Sequence, residues 1–412
     1  MKLKQTIAKV IILVVSLSIG VLLCEAGARL ILNPADYLSA ETIRDNVLGI
    51  TIAPNSSGFD EWGFRNRRVP STADVVAIGD SHTFGNTATM DDSWPSVVAR
   101  GTGLEVYNLG LGGYGPNQYY HLLTTKGLKL HPKWVVCGLY MGDDFENAFS
   151  ITYGLDHWSS LRNGRWDNVN ADIWGAPESR VWGADLRNWL SEHSMVYRLV
   201  FHGPLLALVK ETIRFKQAST DSDPYTTTLV VDDKNIREAF RPTGMVERID
   251  QSSGPVREGM RITFYLLKEM DMACRREGCR LLVVIIPTKE TVFSEYLENN
   301  PRFHLHEAID RVIVNERSAR KSLLEFLTGA GIAHLDTLPA LKQSVGNQLY
   351  AQTTRDMHPG KNGYRIIGEA ATNYLKHSGL DPITKQSSAS ADVIERLPDA
   401  EDVRSRHTVS RP

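Results

Sequence analysis

Five short apolar runs, each followed by a longer stretch with helical spacing, constrain this chain more than anything else in it. The runs are "ADVVAIG" from Ala73, "LEVYNLG" from Leu104, "KWVVCGLY" from Lys133, "CRLLVVIIP" from Cys279 and the weaker "GIAHLD" from Gly331. Between them, "SWPSVVAR", "PNQYYHLLTTKGL", "PVREGMRITFYLLKEMDMACRREG" and "LHEAIDRVIVNERSARKSLLEFLTGAG" repeat apolar residues at the period of an α-helix. Gly278 and Gly331 stand where the two longest of these should stop. A strand that is apolar on both faces must be covered on both faces, and strands separated by helices pair in parallel. The expectation is an α/β three-layer sandwich around a mostly parallel five-stranded sheet. With 412 residues, 42% of them hydrophobic, the chain can fill such a core.

The alternation breaks from about residue 150 to 254. "VWGADLRNWLSEHSMVYRLVFHGPLLALVKETIRF" reads as helical with a Trp and Leu stripe, and the polar stretch after it has room for one hairpin. We take this as an insertion after the third strand, within a domain spanning 74–379. Such a loop beyond a strand's carboxyl end either shapes a substrate cleft or elaborates the surface. Residues 33–73 read as a polar connector, and 380–412 as a disordered tail with few apolar residues.

The first 32 residues are an anchor or a signal segment. Lys2, Lys4 and Lys9 precede an uncharged run from Val10 to Cys24, which orients it with the N-terminus in the cytoplasm. A spanning helix needs roughly 17–25 residues, so the run requires its flanks, with Lys9 snorkelling. Ala26-Gly27-Ala28 has the form of a cleavage site, which keeps a removed signal peptide as the rival. Leu23 is too bulky for a lipoprotein site at Cys24. The expected location is a bacterial inner membrane, single-pass, with the remainder in the periplasm. Formal net charge is −2, with basic residues scattered, which speaks against a nucleic-acid partner. Four cysteines are too few for a disulfide scaffold.

"VVAIGDSHTFGN" runs a buried strand straight into a small polar turn carrying Ser81. A serine hydroxyl needs a base within reach, a group to orient that base, and donors for an oxyanion. Asp80 is expected to brace the turn. Among twelve histidines, His82 adjoins the serine, but neighbouring side chains on a turn diverge. His358, in "TTRDMHPGKNGYRIIGEAATNYL", follows Asp356 by two positions, so the carboxylate can hold the far ring nitrogen. "YNLGLGGYGPNQ" after strand two offers backbone donors, and "YMGDDFENAF" after strand three offers Asp143, Asp144 and Asn147. Taken singly each is a common loop. Together they converge on one edge of a parallel sheet.

This set resembles the SGNH (GDSL-type) hydrolases, whose blocks are Gly-Asp-Ser, a glycine after strand two, Gly-x-Asn-Asp after strand three and a terminal Asp-x-x-His. The resemblance runs from about Trp62, in "WGFRNRRVP", to about Leu375, and implies a flavodoxin-like sheet. By it, Ser81 is the nucleophile, His358 the general base and Asp356 the residue orienting it. The oxyanion donors implied are the N–H groups of Ser81 and Gly113, with Asp143 or Asn147 third. No metal or cofactor is implied. The anchor, "IIPTKETVFSEY" and the "CEAGARLIL" exit resemble an envelope-facing branch in which some members move O-acetyl groups on or off exopolysaccharides. The chain departs from the pattern twice: Asp-x-His is one residue short, and Asp143 stands where the family has an amide donor. The expected function is therefore a serine esterase or O-acyltransferase for an acylated glycan, with an inactive carbohydrate-binding protein as the alternative.

Overall fold

The computed structural model describes residues 2–164, 166, 184–201, 225–350 and 356–379. The strands are β1 (Thr42–Asp45), β2 (Gly49–Ile52), β3 (Val75–Gly79), β4 (Val106–Asn108), β5 (Trp134–Tyr140), β6 (Thr227–Val231), β7 (Ile236–Phe240), β8 (Arg280–Ile286) and β9 (Ala333–Asp336). The central sheet has the order β4-β3-β5-β8-β9. All four of its pairings are parallel, as the sequence predicts, and the order along the chain is 2-1-3-4-5, the flavodoxin-like one that the resemblance implies. The interior strands β3 and β5 are buried at every position and β8 at all but its first. The edge strands β4 and β9 are shorter and partly exposed, which is why their runs are the less continuous ones.

Alternate residues along each strand enter opposite cores, as a period of two requires. On one face Val76, Ile78, Cys137, Leu139, Val283 and Ile285 meet Leu122 and Leu123, Leu267 and Met270, and Leu323 and Leu327 from three helices. On the other, Val75, Ala77, Val136, Val284 and Ile286 meet Trp94 and Val98 from helix Trp94–Thr102 and Tyr364, Ile367, Ala371 and Leu375 from helix Lys361–His377. Segment 33–73 carries the β1–β2 hairpin and packs Ala35, Leu48, Ile52, Phe59 and Phe64 into the first of these cores.

The insertion contributes helices Ala184–His193 and Met195–Phe201, the β6–β7 hairpin and helix Thr243–Ile249. Glu238 of the hairpin is fixed to Lys289, just past β8, by a 2.6 Å ion pair buried on both sides. The remaining part of the predicted Trp and Leu stripe, and the tail from 380, lie outside the described residues. The N-terminal segment is one helix, Lys2–Ile31, and its stretch from Lys4 to Ile31 is long and apolar enough to cross a membrane. Cys274 and Cys279 are free thiols, the Cys279 S–H donating to the Cys274 carbonyl at 3.3 Å.

Two helices beneath the sheet meet almost backbone to backbone. A Cβ on Gly259, in helix Gly254–Arg276, would stand 1.8 Å from the Phe145 carbonyl oxygen of helix Asp144–Gly154. Gly259→Ala should therefore force the helices apart and cost about 1–3 kcal/mol. Thermal unfolding of the purified full-length protein checks this, and an unchanged midpoint would show that the contact yields freely.

Candidate active site

The site lies at the carboxyl ends of β3, β4 and β5. As β3 ends, the chain turns at once into the short helix Ser81–Phe84, capped by the Asp80 side chain. Only glycine fits at the turn, because a Cβ on Gly79 would lie 2.0 Å from Thr83 Oγ1. The turn leaves Ser81 half-exposed and sends His82 into the core. Arg65, buried itself, braces the segment after the serine by donating to the carbonyls of Phe84 at 2.6 Å and Gly85 at 3.0 Å. Asn108, at the end of β4, donates to the Thr83 carbonyl at 2.9 Å and accepts from the Gly110 N–H at 2.8 Å. The glycine loop then passes the Ser81 turn: a Cβ on Gly112 would lie 3.7 Å from Ser81 Cβ, and Gly113 turns the chain with φ +78°.

His358 arrives from 277 residues away. The final helix, Lys361–His377, packs on helix Trp94–Thr102, where a Cβ on Gly368 would meet Val97 at 2.5 Å. Two bonds then draw the loop ahead of it to the nucleophile turn. The Thr87 hydroxyl donates to the Pro359 carbonyl at 2.7 Å, and the Tyr364 hydroxyl to the Asn86 carbonyl at 3.0 Å. The result is a relay. Ser81 Oγ is 2.7 Å from His358 Nε2, and His358 Nδ1 is 2.5 Å from Asp356 Oδ1. That same oxygen accepts the His358 backbone N–H at 2.9 Å, which fixes the ring's angle.

Burial by itself depresses the His358 imidazolium. The hydrogen bond that His358 Nδ1–H donates to Asp356, with the charges of Asp356, Asp80 and Asp143, outweighs it, so the pKa lies above the ordinary histidine value. A second His–Asp pair sits behind the first. His82 bonds Asp80 through both its ring Nδ1 (3.0 Å) and its backbone N–H (2.9 Å). Its ring stacks on Tyr140 at 3.7 Å and lies 4.7 Å from that of His358. Burial keeps His82 neutral, overcoming the pull of Asp80. Its Nδ1–H is then committed to the carboxylate and its buried Nε2 meets no donor. As expected, Asp80 braces the turn and His82 diverges from the serine. What sequence reasoning missed is that they form a pair beneath the base.

Asp80, Asp143 and Asp144 bring one carboxylate oxygen each to within 4.8 Å of one another, a spacing that could hold a cation. Both Asp80 oxygens already serve His82, while those of Asp144 serve the Tyr119 hydroxyl at 2.6 Å and the Tyr140 N–H at 2.8 Å. The same crowding raises two of the three carboxyls. Burial, then the charges of Asp80 and Asp143, push Asp144 well above the usual carboxylate range. Burial and the charge of Asp80 raise Asp143 to about 7, against the pull of Arg248, whose Nη1 stands 3.7 Å from Asp143 Oδ2. Asp143 Oδ1 is buried with no hydrogen-bond partner. Near neutral pH this carboxyl is therefore often protonated and able to donate. Arg248 lies in helix Thr243–Ile249, so the insertion reaches the site here. The Asn147 amide nitrogen is directed instead to the Tyr114 carbonyl, at 3.5 Å.

No protein-family model matches the chain, and no curated protein matches it. Among solved structures it is similar to a protein of the G-D-S-L family from Desulfitobacterium hafniense DCB-2, at 14% identity and a TM-score of 0.35, covering 73% of this chain and 98% of the other. A GDSL-like lipase from Bacteroides thetaiotaomicron shows 11% identity and a TM-score of 0.34, over 74% and 88%. An acetylxylan esterase from Geobacillus stearothermophilus shows 11% and 0.33, over 76% and 96%. These likenesses are distant, and what the site can do is read from its own geometry.

His358 must be neutral to take a proton from Ser81. With its pKa raised, any turnover that uses this proton transfer should climb with pH through a value above the ordinary 6.5. Asp356→Asn removes the group that raises it, so kcat should fall on the order of 1,000-fold or more and the acid limb should move to lower pH. A pH–rate profile of both proteins reads this, and an unmoved limb would dissociate Asp356 from the base.

Asp143 titrates in the opposite sense. Its donating form is lost as pH rises through about 7. Asp143→Asn supplies a permanent donor and should raise kcat/KM above that pH, flattening the alkaline decline. Since one oxyanion donor is worth roughly 100-fold or more, a drop of that size at every pH would show that the carboxyl has a task an amide cannot perform.

Proposed function

We propose that this protein is a serine esterase or O-acyltransferase of the SGNH type. It acts on ester-linked acyl groups, in our reading acetyl, carried by an envelope or extracellular glycan. The observation that carries the proposal is the continuous Ser81–His358–Asp356 relay, at 2.7 and 2.5 Å, with the serine half-exposed at the end of a buried strand.

Ser81 Oγ attacks the ester carbonyl carbon while its proton passes to His358 Nε2. Asp356 holds the imidazolium that forms, through Nδ1. The carbonyl oxygen becomes an oxyanion, met by the N–H groups of Ser81 and Gly113 and by protonated Asp143 as third donor. Collapse expels the alcohol, which leaves with the proton from His358, and the acyl group stays on Ser81. Water or a sugar hydroxyl then attacks the acyl carbon and gives its proton to His358, which returns it to Ser81 Oγ. Hydrolysis and transfer differ only in which hydroxyl enters.

A glycan substrate in the periplasm is favoured by two features. The N-terminal helix holds the domain at a membrane, on the far side from Lys2, Lys4 and Lys9. The insertion lays Arg248 against Asp143, where a second, polyhydroxyl substrate could be oriented. The alternative, an SGNH-fold carbohydrate-binding protein without catalysis, is favoured by Asp143 alone, since an ionised carboxylate repels an oxyanion.

A fluorophosphonate probe on the full-length protein separates the two. Labelling that is lost in Ser81→Ala, together with release of acetate from an acetylated glycan, is the expected result. An unlabelled, well-folded protein that nonetheless binds the glycan would leave only the alternative. Mass measurement of the mature chain tests the anchor, because a first residue at Arg29 would mean the helix is removed.

A further inference from the structure

The spanning helix does not leave the domain as a free stalk. Its last turns are clamped by the two helices of the insertion. Glu25 accepts from the Ser194 hydroxyl at 3.1 Å and from the backbone N–H groups of Met195 and Val196, both at 3.0 Å, so it caps helix Met195–Phe201. Arg29 bonds Glu25 at 2.7 Å and donates to the His193 carbonyl, the end of helix Ala184–His193, at 2.6 Å. Arg198 is tied in turn to the Tyr37 carbonyl at 2.6 Å, just past the anchor.

These bonds set the level of the helix pair along the anchor. Glu25 directly follows the uncharged run Val10–Cys24. At 1.5 Å per residue that run is about 22 Å long, short of the roughly 30 Å hydrocarbon core. Ile7 and Ala8, with Lys9 snorkelling, supply part of the missing length, and a leaflet that extends the other way passes Glu25 towards Leu30 and Ile31, which are 88% and 83% exposed. Pairing with each other and with peptide groups lowers the cost of bringing the charges of Glu25 and Arg29 to that depth. The helix pair clamped to this exit also leaves large apolar side chains exposed, from 54% at Phe201 to 62% at Leu186, with Trp189 and Val200 between. A water-facing surface rarely collects such a group, whereas Trp and Phe on an amphipathic helix suit the headgroup boundary of a bilayer.

We propose that helices Ala184–His193 and Met195–Phe201 form a second membrane contact, lying in the outer interface of the bilayer that the N-terminal helix spans. The face seats Leu186, Trp189, Val200 and Phe201 among acyl chains and headgroups and turns a flexible tether into a two-point mount. This holds the catalytic cleft at a set height and orientation. The proposal rests on the N-terminal helix being retained as an anchor.

Full-length protein and Trp189→Phe, reconstituted in phosphatidylcholine–phosphatidylglycerol vesicles, provide the test. The emission lost in the variant should be blue-shifted, and most of it should vanish with lipids brominated near the headgroup end of the chain. Quenching of that component by aqueous iodide, but not by brominated lipid, would place the face in water and overturn the proposal. Insensitivity to both would also overturn it, by showing that protein covers the face. Resistance to carbonate extraction reads the anchor separately, so a retained protein with a water-facing Trp189 sinks only the second contact. Should Trp189→Phe fail to reconstitute, a nitroxide on Leu186→Cys in a Cys24→Ser background reads the same face by its oxygen accessibility.

Discussion

Everything the site can do depends on a loop from the end of the chain being pinned to a turn near its beginning. The pinning is not done by the reacting groups, whose single serine–histidine hydrogen bond is worth only about 1 kcal/mol net. It is done by the packing of helix Lys361–His377 on helix Trp94–Thr102, both apolar on the face they share with the sheet. Hydrogen bonds from Thr87 and Tyr364 then set the last ångström. Hydrophobic burial supplies the energy without direction, and the polar contacts supply direction at small net gain. Each would be insufficient without the other.

The same division of labour governs the electrostatics. Four acidic groups, Asp80, Asp143, Asp144 and Asp356, surround or back a single base, and they cannot all be charged in a poorly hydrated space. The structure sorts them by their partners. Asp356 and Asp80 each face a histidine and stay below the ordinary carboxylate range, although burial pushes both the other way. Asp144 and Asp143 lack such a partner and are raised. An aspartate that looks disqualified as a hydrogen-bond donor in a sequence thus becomes a conditional one in the fold. Its condition is set by burial and the charge of Asp80, with Arg248, delivered by the insertion, pulling the other way.

The insertion therefore works at both of its ends. Its first helices grip the end of the N-terminal helix through Glu25 and Arg29, and its last helix touches Asp143. Between them the β6–β7 hairpin is locked to the sheet by a buried Glu238–Lys289 pair. Such pairs contribute little net stability but tolerate few alternative arrangements. A segment that interrupts the α/β rhythm is thus mechanically joined to both the N-terminal helix and the site.

Much of this is legible in the linear chain. Strand and helix periods are local properties, and a parallel sheet follows once apolar strands alternate with helices. Ser81 stands out because a Gly-Asp-Ser after a buried strand has nowhere to go but the sheet's carboxyl edge. The Asp356–His358 pair stands out because two positions in an extended loop face the same way. Segment 33–73 looked like a mere connector because its few buried residues, such as Phe59 and Phe64, are spaced without period. The pairing of His82 with Asp80, the bracing by Arg65 and Asn108, the turning away of Asn147 and the protonation of Asp143 could not be read there. Periodicity and motif spacing depend on covalent geometry, which a sequence carries in full. The direction of a side chain out of a turn, and the dielectric around a carboxyl, depend on what distant segments bring up against it, and those neighbours exist only once the chain has folded.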